Sequence, residues 1–194
     1  ERLFMLERKG KLGLGTAYIA GFKWALAHHY EYIFEMDADF SHNPQDLPRL
    51  YKACAEEGGD VAIGSRYVSG VNVVNWPMGR VLMSYFASKY VRFITGIPVH
   101  DTTAGFKCYR RCVLQTIDLD NIRFKGYAFQ IEMKFTAYKC GFKIIEVPVI
   151  FINRELGTSK MNGSIFGEAV FGVIKLKLNS WFHKYPQKVG NNKP

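Results

Sequence analysis

A chain of 194 residues, 48% hydrophobic and 22% charged, is one ordinary globular domain with a real core, which excludes disorder. A formal net charge of +9 favours polyanionic partners, whether nucleic acid, an anionic membrane or phosphorylated substrates. The basic residues form no Lys/Arg block and the aromatics are not interleaved with them on any strand, so no nucleic-acid partner is expected.

Cys54, Cys108, Cys112 and Cys140 form no Cys-x-x-Cys pair and read as buried free thiols of a reducing compartment. No signal peptide is visible, and no uncharged apolar run approaches the roughly 20 residues that span a bilayer. The chain begins at Glu1 and passes directly into strand-like Leu3-Phe4-Met5-Leu6, so it reads as a fragment with a strand over 2–7. The basic glycine loop Lys9-Gly10-Lys11-Leu12-Gly13-Leu14-Gly15 follows, and then a helix over 16–29. Such a loop suits a phosphate or is simply a tight turn.

The chain is organised around Tyr32-Ile33-Phe34-Glu35-Met36-Asp37-Ala38-Asp39, an apolar run of strand length that ends in two carboxylates. Asn43 as N-cap, Pro44 and Asp46 then start a helix over 44–57. Strand, acidic loop and helix place the loop at the carboxyl end of a strand, where open α/β sheets bind ligands. Two carboxylates at i and i+2 form either an acidic surface turn or a hard oxygen site for Mg²⁺ or Mn²⁺. Asp60-Val61-Ala62-Ile63-Gly64-Ser65-Arg66 reads as the next strand, delivering Arg66 at its end, so the pattern is β-α-β-α-β and implies a parallel sheet.

A helix over 79–95 puts Arg80 and Ser84 on one face. The polar turn His100-Asp101-Thr102-Thr103-Ala104-Gly105-Phe106 leads to a strand over 106–109, a short helix over 111–117 and a helix over 127–140 carrying Gln130 and Glu132. Residues 143–152 are strand-like, with Pro148 marking an edge or bulge, before the basic loop Asn153–Lys160. The last helix, 164–182, is apolar around most of its circumference, with Glu168, Gly172, Lys175 and Asn179 as a narrow polar stripe. It either packs against the domain or lies in a membrane interface, for which Trp181, Phe182, Lys184 and Tyr185 are suited.

Five motifs recur in one order: Gly13-Leu14-Gly15-Thr16-Ala17-Tyr18, Met36–His42, Gly64-Ser65-Arg66-Tyr67, Gly126–Glu132 and Gly157-Thr158-Ser159-Lys160. Together they resemble the dolichol-phosphate (polyprenol-phosphate) mannose synthases, inverting glycosyltransferases of family 2. The resemblance covers essentially the whole chain and implies the GT-A fold, a Rossmann-like, mostly parallel sheet with helices on both faces. It also implies one or two further β-α units upstream, whose base- and ribose-binding motifs have no counterpart here. Residues 1–163 would be the catalytic domain, partial at its start, and 164–194 an amphipathic, membrane-interfacial helix and tail.

The implied reaction moves mannose from GDP-mannose to a polyisoprenyl monophosphate, on the cytoplasmic face of a membrane. By match, Asp37 and Asp39 would hold the divalent metal, while Ser41 stands where some members have a metal-contacting Gln. Arg66, Arg80 and Ser84 match the residues that hold the acceptor phosphate, and Arg154 and Lys160 match the loop over the donor diphosphate. Asp39, Arg66 and Arg80 would thus carry catalysis, and small membrane-anchoring subunits are partners that the resemblance admits. The rival readings are glucose or aminosugar transfer to the same kind of lipid, and a non-catalytic lipid-phosphate or membrane-binding module.

Overall fold

The computed structural model describes residues 3–10, 12–126, 128–153 and 163–188, with the side chains of 163–169 left aside. Helix α1 (Leu14–Ala27) precedes strand β1 (Tyr32–Glu35), and a 3-10 turn over Pro44–Asp46 opens α2 (Leu47–Ala55). The Asn43 side chain accepts from the Gln45 amide at 3.0 Å, so this residue caps the turn as expected. β2 (Val61–Ser65), the short β3 (Val73–Val74) and α3 (Met78–Thr95) come next. β4 (Lys107–Arg110) and α4 (Arg111–Thr116) lead to α5 (Ala128–Lys139), β5 (Ile144–Pro148), β6 (Phe151–Ile152) and α6 (Gly163–Phe182).

The main sheet has the order β1-β4-β2-β5, and β3 pairs with β6 in a separate two-stranded sheet. β4 runs antiparallel to both β1 and β2, whereas β2 and β5 are parallel, so three strands share one direction and β4 opposes them. β5 lies at the edge and ends at Pro148, where a residue without an N–H costs no ladder bond.

Side chains alternate across each strand, and the register turns that alternation into two cores. Ile33, Tyr109, Val61 and Ile144 align in one row beneath Phe22 of α1, Val113 of α4 and Phe129 of α5. Phe34, Cys108, Ala62 and Ile145 align on the opposite face beneath Leu50 and Ala53 of α2. Helices therefore cover both faces. A third cluster joins α3, α5 and α6 through Val91, Ile131, Phe135, Val173 and Leu176.

One expectation needs correction. Residues 3–8 form no strand: no described strand pairs with them, and Leu3 and Met5 project into solvent while Phe4 rests on Trp24. A local apolar run cannot stand as a strand without a neighbour to take its backbone bonds. Along the polar stripe of the last helix, Gly172 is buried, Asn179 half-buried and Lys175 exposed. Gly172 faces Phe124, where a Cβ would come within 2.7 Å of the ring, and Phe171, Trp181 and Phe182 are exposed. Glu168 lies outside the described side chains. The helix packs against the domain on one side and exposes apolar side chains on the other. The segment after it returns to the domain, where Lys188 Nζ meets the buried Asp60 carboxylate at 2.7 Å.

Candidate active site

β1 delivers the acidic loop, and buried charge fixes where that loop begins. Glu35 pairs with Lys107 of β4 at 3.0 Å, both side chains fully buried, and the Gln130 amide of α5 bridges the two. Burial depresses the Lys107 pKa, and the Glu35 carboxylate beside it opposes that fall. Two residues on, Asp37 accepts a bond from the Tyr18 hydroxyl at 3.1 Å and lies 4.0 Å from His42 Nε2. Burial, with Glu35 and Asp37 nearby, drives the Tyr18 hydroxyl far above its ordinary range, so it remains a donor. Asp39 accepts from the Ser41 amide at 3.1 Å. Burial lowers the His42 pKa, which keeps the ring neutral near pH 7.

Asp37, Asp39, Ser41 and His42 border a cleft of about 480 Å³. Among the described residues no three His, Cys, Asp or Glu side chains gather as a closed metal cage. Two carboxylates at a cleft mouth suit a hard cation that completes its shell with phosphate oxygens and water. Ser41 Oγ is buried without a hydrogen-bond partner among the described residues.

The cleft walls carry the cations. Arg66, at the end of β2, is locked to the buried Asp101: Nε and Nη2 reach its two carboxylate oxygens at 2.6 Å each, and the Arg66 amide adds a bond of 3.0 Å. Burial alone would lower the Arg66 pKa, but Asp101 holds it above its ordinary value; Asp101, buried too, is held below the usual carboxylate range by Arg66. Lys134 of α5 ties the same turn down, donating to the carbonyls of Thr102 and Ala104 at 3.0 and 2.7 Å. Across the cleft, Arg80 of α3 lies over the Trp76 ring at 3.9 Å from its centroid and donates to Asn153 Oδ1 at 2.9 Å. Ser84, one turn along, accepts from the Tyr67 hydroxyl at 2.7 Å. Beyond them the cleft continues as an apolar arm between α3, α5 and α6, lined by Met83, Phe86, Tyr90, Ile131, Val170 and Val173.

Asp37, Asp39, Ser41, Arg66, Arg80 and Ser84 therefore border one space. Arg154 and Lys160 lie outside the described residues. The glycine loop serves packing: the Gly15 amide donates to the Lys125 carbonyl at 2.9 Å, and a Cβ on Gly15 would meet the Phe124 carbonyl at 2.7 Å. Sequence reasoning missed the partners that set the site. Asp101 stood inside a turn noted only as polar. Lys107 and Lys134 are lysines among residues that proved to be core, and that placement was the signal available for them. Trp76, four residues before Arg80, carried no signal until β3 and β6 brought it beside Phe151.

A sequence profile of glycosyl transferase family 2 matches residues 1–118. The chain is 50% identical over 175 residues to a polyprenol monophosphomannose synthase of Mycolicibacterium smegmatis, covering 90% of this chain and 66% of that protein. It is 49% identical over 171 residues to an undecaprenyl-phosphate mannosyltransferase of Micrococcus luteus, covering 88% and 70%. Among solved structures, glucosyl-3-phosphoglycerate synthase of Mycobacterium tuberculosis with Mg²⁺ and uridine diphosphate superposes with a TM-score of 0.59 at 18% identity, over 89% of this chain and 56% of that one. At that identity the likeness shows the fold, a GT-A arrangement, and nothing finer. Profile, relatives and fold agree, and the chain belongs to glycosyl transferase family 2.

Proposed function

We propose that the protein transfers mannose from GDP-mannose to a polyprenyl monophosphate, with inversion, on the cytoplasmic face of a membrane. The observation that carries this reading is the two-part cleft, in which an acidic strand end and two arginines open into an apolar arm. A soluble phosphorylated acceptor has no use for such an arm, whereas an isoprenoid phosphate has a charged head and an apolar chain to place. The names of the two bacterial relatives supply the sugar and the lipid class.

In this reading Asp37 and Asp39 hold Mg²⁺ or Mn²⁺, with Ser41 beside them, and Arg154 and Lys160 sit over the donor diphosphate. Solved structures of glucosyl-3-phosphoglycerate synthase, which share the fold, hold Mn²⁺ or Mg²⁺, and hard oxygen donors match such an ion. When bound, the ion neutralises charge that develops on the leaving diphosphate. Arg66, Arg80 and Ser84 hold the acceptor phosphate. A phosphate monoester has its second pKa near 6, so the nucleophile is already ionised at neutral pH and needs no general base. Its oxygen forms a bond to the anomeric carbon while the bond from that carbon to the diphosphate oxygen breaks, and a single displacement inverts the centre. Arg80 and Arg66 contribute orientation and charge.

Residues 1–163 make the catalytic domain, and α6 within 164–194 supplies the membrane contact. α6 exposes Phe171, Trp181 and Phe182, and α3, which packs on it, exposes Phe86 and Phe93; each helix also exposes a lysine, Lys175 and Lys89. Among the described residues no helix is long and apolar enough to cross a bilayer, so contact is peripheral. Small membrane-anchoring subunits fit the same surface. The test is donor competition in the intact enzyme: GDP-mannose is expected to support transfer to a polyprenyl phosphate, with UDP-glucose a poor substitute. Preference for UDP-glucose, or transfer without lipid, would overturn the reading.

A further inference from the structure

We infer that Trp76 is a positioning residue, the shared aromatic platform that sets Arg80 against the acceptor; this rests on the proposed lipid-phosphate reading of the cleft. Trp76 follows β3, and pairing of β3 with β6 brings it edge-on to Phe151, ring centroids 5.2 Å apart. Two cations lie over this one ring, Arg80 at 3.9 Å and Arg66 at 5.4 Å from its centroid. The π face of indole is the most attractive aromatic surface for a guanidinium, and the attraction grows as water is excluded.

The two arginines repel each other and differ in how they are held. Arg66 has a buried carboxylate bonded to Nε and Nη2, so its place is fixed without the ring. Arg80, half-buried in the first turn of α3, donates to Asn153 and lies against the ring, so the ring is part of what orients it. Trp76 Nε1 is buried without a hydrogen-bond partner among the described residues. A donor left unmade is costly, so a hydrogen bond is not what places this side chain; its faces are. Asn153 also precedes the basic loop, which links the orientation of Arg80 to the start of that segment.

The test is a kinetic cycle in the intact enzyme with Trp76→Leu, Trp76→Phe, Arg80→Ala and the double variant Trp76→Leu/Arg80→Ala. Loss of a partly desolvated cation–π contact predicts a rise of about tenfold to thirtyfold in KM for the polyprenyl phosphate with Trp76→Leu, and about threefold with Trp76→Phe, which keeps a weaker ring. The donor KM and the Tm of Trp76→Phe should stay at wild-type values. The double variant should be no worse for the acceptor than Arg80→Ala alone, because Trp76 acts through Arg80. Losses that multiply in the double variant, or a donor KM that rises as much as the acceptor KM, would overturn the inference. If wild-type protein transfers no sugar to a polyprenyl phosphate, the functional reading fails. Calorimetry with inorganic phosphate then decides the inference by itself: weaker binding to Trp76→Leu and Trp76→Phe in that rank order supports it, and equal binding refutes it.

Discussion

Arg66 and Arg80 border one cleft and share the Trp76 ring, but they come from different elements and are held differently. The sheet-side wall is a lattice of buried charge: Arg66 with Asp101, Lys134 on the carbonyls of the same turn, and Glu35 with Lys107 beneath the acidic loop. On the α3 wall Arg80 lies against an aromatic face and donates to an amide oxygen, beside apolar side chains that continue into the cleft arm. Breaking a buried ion pair leaves an uncompensated charge, so the first wall cannot yield without threatening the fold. The second can repack at small cost. A site built this way keeps the strand end rigid and leaves the α3 side freer to adjust.

That contrast predicts opposite failures for equally drastic changes. The largest effect falls on the acidic loop. Asp37→Asn or Asp39→Asn in the intact enzyme is expected to abolish metal-dependent turnover with little change in Tm, because Asp37 is partly exposed and makes one side-chain bond to Tyr18. Turnover by the wild type that survives EDTA would refute the metal assignment.

Arg66→Ala comes next and should fail by unfolding. It strands the Asp101 carboxylate in the core, at about 3–5 kcal/mol, read as a loss of denaturation midpoint. The same pair sets an acid limit. Asp101 has its folded pKa below the ordinary 3.8, so the native state binds its proton less readily than the unfolded chain. Its contribution is complete above pH 3.8 and is lost as pH falls through the depressed value. Asp101→Asn should flatten the stability profile in that acid window. A wild-type profile already flat between pH 4 and 2 would break the comparison.

Arg80→Ala should leave the fold intact and act on the acceptor. A charge-assisted contact is worth about 1.5–3 kcal/mol, so kcat/KM for the lipid should fall from about tenfold to more than a hundredfold. Arg80→Lys should recover only part, since an ammonium lacks the planar fork. The donor KM should barely move. Steady-state kinetics with each substrate varied separately checks this, and a variant that weakens the donor while sparing the lipid would reverse the assignment of the two phosphate sites.

Much of this was legible along the chain, because the signals are local. The apolar run ending in Asp37 and Asp39, the Asn43-Pro44 cap and the Arg80/Ser84 face depend on residues a few positions apart. The strand over 106–109 is legible as β4 but its direction is not, since its pairing with β1 and β2 is set by residues 76 and 46 positions away, as in Ile33 to Tyr109 and Ala62 to Cys108. The charge lattice was illegible for the same reason. Glu35, Lys107 and Gln130 each look like surface residues, and only the register of β1 on β4 buries them together. The false strand over 2–7 shows the converse: local pattern without a partner strand is not structure.

The smallest effect concerns the outer surface of α3 and α6. Trp181 is 66% exposed, and Phe93 and Phe182 are each 88% exposed, so their rings contribute little to the fold. Replacing Phe93 or Phe182 with Ser should therefore shift Tm by no more than a degree or two, since surface substitutions fall within about 0.5 kcal/mol. If this surface meets lipid, the same changes should weaken co-sedimentation with vesicles containing anionic phospholipid. Raising salt should weaken it independently, because each basic residue near such a surface contributes about 1 kcal/mol over a screening length of about 8 Å at physiological salt. Lys89 and Lys175 are exposed on the same two helices, so the two losses should combine without replacing one another. Binding to vesicles that ignores both salt and the Phe→Ser changes would remove α6 and α3 from the membrane contact. Binding that responds to salt alone would mean that charge brings the protein to the surface while its aromatic face stays out of the lipid.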